Sequence, residues 1–306
     1  MNKTILTALV VLSFSLAACT RDSSKTTENK NTTDSPDKKQ EQTSNNTNTN
    51  STDKKSPQTG QTTNPQGSGS NSNGDVWKFT QKSFTKSYKG CDVTREDCAN
   101  IQIYYLEMTE GKWKKQIDES IRDNALLAYN VEDTHYSDFD KITERFMKDY
   151  EDFKKEVPDF PGAWYLKDST SIVYNTADLL CVKNDMENYL GGAHGAYNTT
   201  YTNFDMKTGN VLYIKDIFKE GSDSKLSKMI EAAIRKQYEV KANEKLTDAG
   251  FFENKIYPNE NFAITKDGIE FLFNHYEIAA YALGVIEVKF TYSELDGLLN
   301  KNMINR

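Results

Sequence analysis

Few residues in this 306-residue chain are suited to covalent chemistry. There are three histidines, His135, His194 and His275, and four cysteines. No His-Glu-x-x-His pair, nucleophile elbow or glycine-rich phosphate loop occurs, and no two histidines stand at metal-ligand spacing. The familiar zinc-protease, serine-hydrolase and P-loop classes are therefore excluded. No apolar run reaches the roughly 20 residues that span a bilayer. The formal net charge is −7, which argues against nucleic acid and against direct docking on anionic lipid. From Thr20 to Asp75 there is no aromatic and no large aliphatic residue, so nothing there offsets the entropy of ordering.

What is present begins with an address. Lys3 precedes an apolar run from Ile5 to Leu16, and Ala17 and Ala18 follow as small residues. This order predicts a secretory signal over residues 1–18. Leu16-Ala17-Ala18-Cys19 resembles the lipobox of bacterial lipoproteins. That resemblance implies cleavage before Cys19, acylation of its thiol (palmitate among the acyl chains) and an extracytoplasmic, lipid-anchored protein. Two or more acyl chains are needed for stable anchoring, at about 0.8 kcal/mol per buried methylene. Residue 20 is Thr rather than Asp, which by the same resemblance favours the outer membrane in an organism that has one.

Residues 19–75 are expected to be the lipidated cysteine and a flexible tether. Positions 20–75 hold seven basic and seven acidic residues and have a root-mean-square reach of about 40 Å. The head, 76–306, then carries the acidic excess, which favours basic partners. Within it Cys91 and Cys98 read as a local disulfide in an oxidising compartment, or else as part of a zinc site that lacks nearby ligands. Cys181, in the run Leu179-Leu180-Cys181-Val182, reads as a buried strand residue.

Runs rich in Ile, Tyr and Val predict strands near 101–106, 164–175, 177–183, 197–206, 211–214, 261–265, 268–274 and 284–292. Met206-Lys207-Thr208-Gly209-Asn210 and Thr265-Lys266-Asp267-Gly268 read as hairpin turns, the latter with positive φ at Asp-Gly. Helical stripes run through Trp113, Ile117, Ile121, Ala125 and Ala128, through Phe139, Ile142, Phe146, Tyr150 and Phe153, and through Leu226, Met229, Ala233 and Tyr238. Ser293 and Asp296 predict a last short helix over 294–300. The order implies an α+β fold, with mixed or mainly antiparallel sheets on three to four helices. Two lobes in one head, 76–183 and 184–306, are expected.

The stretch Tyr189-Leu190-Gly191-Gly192-Ala193-His194-Gly195 is the most distinctive in the head. Asn203-Phe204-Asp205 and Leu212-Tyr213-Ile214-Lys215-Asp216 follow it, then Phe271 to Gly284 and Phe290-Thr291-Tyr292-Ser293-Glu294-Leu295. This succession resembles the bacterial envelope family of domain of unknown function 3298. Residues 84–182 are similar to its companion, domain of unknown function 4163. The family includes the outer domain of a lysozyme-sensing anti-sigma factor and an accessory domain beside a peptidoglycan deacetylase. Where the family often has Pro, this chain has Ala280.

The candidate binding residues are Gly191, Gly192, His194, Gly195, His275, Tyr276 and Tyr281. Glycines let backbone approach closely, and aromatic side chains anchor protein interfaces and stack on sugars. The expected function is a binding or sensing module for a lysozyme-like protein or a peptidoglycan-related glycan, with no cofactor and no metal. The competing readings are a wall hydrolase or deacetylase using His194 with a carboxylate such as Asp205, and a structural lipoprotein.

Overall fold

Period-two alternation carries most directly into Asn100–Met108, where Ile101 and Ile103 are buried while Gln102 and Tyr104 are only partly covered. The computed structural model describes residues 76–127 and 138–300. The expected signal segment, Cys19, the tether, Ala128 and His135 lie outside them. Six strands form one sheet in chain order: β1 (Phe79–Ser87), β2 (Asn100–Met108), β3 (Tyr165–Asn175), β4 (Leu179–Tyr189), β5 (Ala196–Asp205) and β6 (Asn210–Leu212). Only β2 and β3 run parallel, because the helices α1 (Lys114–Leu127) and α2 (Phe139–Glu156) lie between them in the chain. Parallel neighbours need such a crossover, whereas the other pairs are antiparallel.

α2 shows how the sequence builds the buried layer. Asp138 caps it by accepting the Lys141 N–H at 2.7 Å. Phe139, Ile142, Phe146 and Tyr150 are buried on one side, and Arg145–Asp149 and Lys148–Asp152 pair on the other. The stripe meets Ile101, Ile103 and Leu166 of the sheet. Burying one ring such as Phe146 there stabilises the fold by roughly 2–3 kcal/mol.

The second layer system follows. After the single turn α3 (Ile214–Ile217), α4 (Asp223–Gln237) packs Leu226, Ile230 and Ile234 on an antiparallel sheet of β7 (Phe262–Ile264), β8 (Gly268–Phe273) and β9 (Ile286–Thr291). The architecture is α+β with mixed sheets and four helices, as the element order implied. The expected lobe boundary at 183/184 falls inside β4, whose residues pair continuously with β3 and β5.

Asparagine side chains join the two sheets. Asn203 of β5 donates to the Phe262 carbonyl at 2.7 Å and accepts from the Ile264 N–H at 2.9 Å. Asn274 accepts from the Thr199 N–H at 2.8 Å and donates to the Thr199 carbonyl at 3.0 Å. Asn261 donates to that same carbonyl and accepts from the Tyr201 N–H. The β5 edge not covered by β6 is thereby closed.

Four local expectations need correction. The 294–300 segment is a succession of turns, opened by Thr291 and Glu294 bonding each other's backbone N–H groups, and not a helix. Ile214 begins α3 instead of ending a strand, because the Asp216 carboxylate accepts the Tyr213 N–H at 2.9 Å. β1 was not expected, since Phe79 and Phe84 are the only apolar residues in it. The Thr265–Gly268 turn exists, yet neither Asp267 nor Gly268 has positive φ. Glycine is required at 268 for close approach, because a Cβ there would lie 1.9 Å from the Phe290 carbonyl oxygen.

Candidate functional site

The sheet face away from α1 and α2 is polar and aromatic. On β3 the buried Leu166, Asp168 and Thr170 alternate with Tyr165, Lys167 and Ser169, which are partly covered. Tyr165 stands opposite Tyr189 of β4, Lys167 opposite Glu187, and Glu187 opposite Tyr197 of β5. The hydroxyls of Tyr165 and Tyr197 both donate to Glu187 Oε1, at 2.6 and 3.3 Å. Burial and the Glu187 carboxylate hold both phenols above the ordinary tyrosine range, so both stay protonated donors.

β4 and β5 are joined by the glycine-rich loop. Gly191 has φ 82°, and a Cβ there would come within 2.8 Å of the Phe153 ring and 2.9 Å of Trp164 Nε1. The loop backbone thus rests on the aromatic stripe of α2. At Gly195 a Cβ would meet the Asn188 carbonyl oxygen at 2.8 Å, whereas at Gly192 it would make only ordinary contact with the His194 carbonyl oxygen at 3.8 Å. His194, on the exposed tip, has its Nδ1 2.9 Å from the Gly195 carbonyl oxygen.

The segment after β8 completes the cluster. Asn274, bonded to Thr199, places His275 and Tyr281 next to the loop. His194 and His275 each stack on the Tyr281 ring, with centroids 4.4 and 4.5 Å away, and Tyr276 tilts against it at 5.5 Å. Tyr276 has φ 63°, a left-handed conformation that costs a non-glycine residue about 1 kcal/mol, and its side chain is exposed. Burial holds the His275 imidazole below its ordinary range, against a hydrogen bond to the Tyr197 backbone that works the other way. His275 Nδ1 is buried, with no hydrogen-bond partner among the described residues. Residues far apart in sequence thus form one surface, with Leu190, Tyr197 and Tyr276 exposed at its margin.

A hydrolase centred on His194 would need a carboxylate such as Asp205 beside it. β5 separates that residue from Asp205 by about 30 Å at the usual rise of an extended strand, so the pair considered from the sequence does not meet. Asp205 instead accepts the Lys207 N–H in the β5–β6 turn. Among the described residues no group of three or more His, Cys, Asp or Glu could hold a metal. Cys91 and Cys98 form a disulfide, and the free Cys181 is buried in β4, where burial pushes its thiol up. Among the described residues no helix is long and apolar enough to cross a membrane.

Sequence reasoning singled out the loop, His275, Tyr276 and Tyr281, and missed Tyr165, Lys167, Glu187, Tyr189 and Tyr197 beside them. The signal was period two: Tyr165-x-Lys167 and Glu187-x-Tyr189 each set one face of a strand. Polar composition hid the outer half of β4, which ran past the expected end at Lys183.

Residues 215–293 match the family model described as protein of unknown function (DUF3298), and residues 93–197 match the model described as deacetylase PdaC. The expected resemblance is borne out, although the Tyr189–Gly195 stretch falls within the second match and not the first. A curated relative, the peptidoglycan-N-acetylmuramic acid deacetylase PdaC of Bacillus subtilis (strain 168), is 29% identical over 180 residues. The match takes in 55% of this chain and spans only 36% of that relative's length. Two solved structures share the fold at a TM-score of 0.59 each. One is a DUF3298 family member from Bacteroides fragilis, 24% identical, over 76% of this chain and 99% of that one. The other is a DUF3298 family protein from Pseudomonas aeruginosa PAO1, 18% identical, over 75% and 97%.

Proposed function

We propose that this protein is an extracytoplasmic envelope component whose head binds a peptidoglycan-related glycan, tethered to the membrane through a lipid on Cys19. One observation carries the binding reading: two imidazoles stacked on Tyr281, with Tyr197 and Tyr276 exposed beside them. Rings held rigidly at a surface offer apolar faces to sugar C–H groups, with phenol and imidazole edges for hydroxyls. Stacking fixes the rotamers beforehand, so less ordering entropy opposes binding. The left-handed backbone of Tyr276 agrees with a surface held in shape for a ligand. The relation to a protein named as a peptidoglycan deacetylase supports a wall-related ligand.

A basic protein such as a lysozyme is the second reading, favoured by the net charge of −7. The two are separated by calorimetric titration of the full-length protein with soluble wall glycan and with lysozyme, at two salt concentrations. Saturable glycan binding that weakens about tenfold in Tyr281→Ala, about 1.4 kcal/mol, is the expected result. Lysozyme binding that fades with salt, without glycan binding, would transfer the assignment to the protein partner. No heat with either ligand would leave a structural lipoprotein. Turnover of wall fragments lost in His194→Ala with the fold intact would restore an enzyme.

A further inference from the structure

A cleft of about 320 Å³ opens where the disulfide-closed loop overhangs the sheet at the start of β3. Its lining includes Tyr165, Tyr189, Lys167, Gly162, Arg95 and Glu96. The two tyrosine rings lie 6.3 Å apart, and Phe160 stacks behind Tyr189 at 6.2 Å. The cleft is continuous with the face described above, because Tyr165 and Tyr197 share Glu187 Oε1 across two inter-strand spacings, about 10 Å.

The charges in the cleft are not equivalent. Arg95 is engaged by Asp97, Nε to Oδ1 at 2.8 Å, and so presents little free charge. Lys167 stands directly across the strand pair from Glu187, yet no ion pair joins them among the described residues. Its ammonium lies over the Tyr165 ring instead, 4.8 Å from the centroid. A cation on an aromatic face, without a carboxylate, is a ready partner for an anion bound beside that ring. Glu96 is exposed on the overhanging loop and is not engaged by an ion pair among the described residues.

We infer that this cleft is a subsite for a pyranose bearing a carboxylate, its ring on Tyr165 and Tyr189 and its carboxylate on Lys167. The inference rests on the glycan-binding reading and extends it from a neutral sugar face to one that distinguishes acidic from neutral residues along a strand. Lys167 supplies the discrimination, the tyrosines bind either ring, and Glu96 opposes the anion from the loop.

The test uses two disaccharides that differ by a lactyl carboxylate: N-acetylglucosaminyl-N-acetylmuramic acid and chitobiose. Each is titrated into the full-length protein, wild type, Lys167→Met and Glu96→Gln. The wild type is expected to prefer the acidic disaccharide about tenfold, and the preference is expected to shrink with salt. Lys167→Met is expected to lower that ratio to near one, and Glu96→Gln to raise it. Gly162→Val places a side chain in the cleft without backbone strain, since a Cβ there meets Phe160 and Tyr189 at 3.4 and 3.9 Å. It is expected to abolish the preference. Equal binding of both sugars by the wild type, or a preference unchanged in Lys167→Met, would overturn the subsite and leave the glycan reading in place. Binding of neither would overturn both.

Discussion

Asp168 is 1% exposed, between Leu166 and Thr170 on the helix-facing side of β3. Asn184 Nδ2 donates to its Oδ2 at 2.9 Å, and its Oδ1 has no hydrogen-bond partner among the described residues. Burial pushes the carboxyl up to about 7, against the Asn184 bond that works the other way. Its value in the unfolded chain is 3.8, so between about pH 4 and pH 7 the folded state binds the extra proton. The stabilisation is complete below that window and lost as pH rises through it, on the order of 4 kcal/mol. Asp168→Asn removes the buried charge and retains the acceptor for Asn184. Urea melts should show it matching the wild type near pH 4 and exceeding it by about 4 kcal/mol at pH 8. A variant less stable than the wild type at pH 8 would show that the ionised carboxylate is favourable where it sits. Nothing in Leu166-Lys167-Asp168-Ser169-Thr170 marks the acid as buried, because only the pairing of β3 with β2 and β4 decides its face.

At the scale of elements, legibility followed apolar content. α1, α2, α4 and the inner strands announced themselves because their buried faces repeat every 3.6 or 2 residues. β1 and the outer half of β4 are held by hydrogen bonds to neighbours on a face that stays half open, so their sequences carry little hydrophobic signal. Ala280 illustrates the same limit. Its N–H donates to the Gly250 carbonyl at 3.1 Å, a bond that the proline expected there from the family resemblance has no hydrogen to make. The link between the sheets is also carried by side-chain amides, which have no periodicity. Asn203→Ala would leave the Phe262 carbonyl and the Ile264 N–H without their partner in a buried setting. A loss of about 2–4 kcal/mol in chemical denaturation is expected, with earlier amide exchange in β7 than in β3. A loss below about 0.5 kcal/mol would mean that the sheets stay joined without it.

For the whole molecule, the decisive proposal concerns the chain's other end. Acylation at Cys19 predicts that the mature amino terminus is a lipid-modified cysteine and that the protein partitions with membranes. Cys19→Ser should leave it unprocessed or released, with the head still folded, as read by mass spectrometry and fractionation. An unmodified terminus upstream of residue 19 in the cytosol would remove the anchor and with it the envelope setting.

The α+β order and the family resemblance were written in local sequence, as was the basis for the proposed address and tether, because each depends on residue type and spacing over short stretches. The binding face was only half visible. Glycines and histidines stood out as rare residues, but Tyr281 reaches His194 because Asn274 bonds to β5 some 75 residues away in the chain. Likewise Lys167 acquires its setting only when β3 and β4 align in register and the Cys91–Cys98 loop covers the cleft. Contacts between residues distant in sequence depend on register and on which side of a strand faces solvent, and a polar strand states neither until its neighbours are in place.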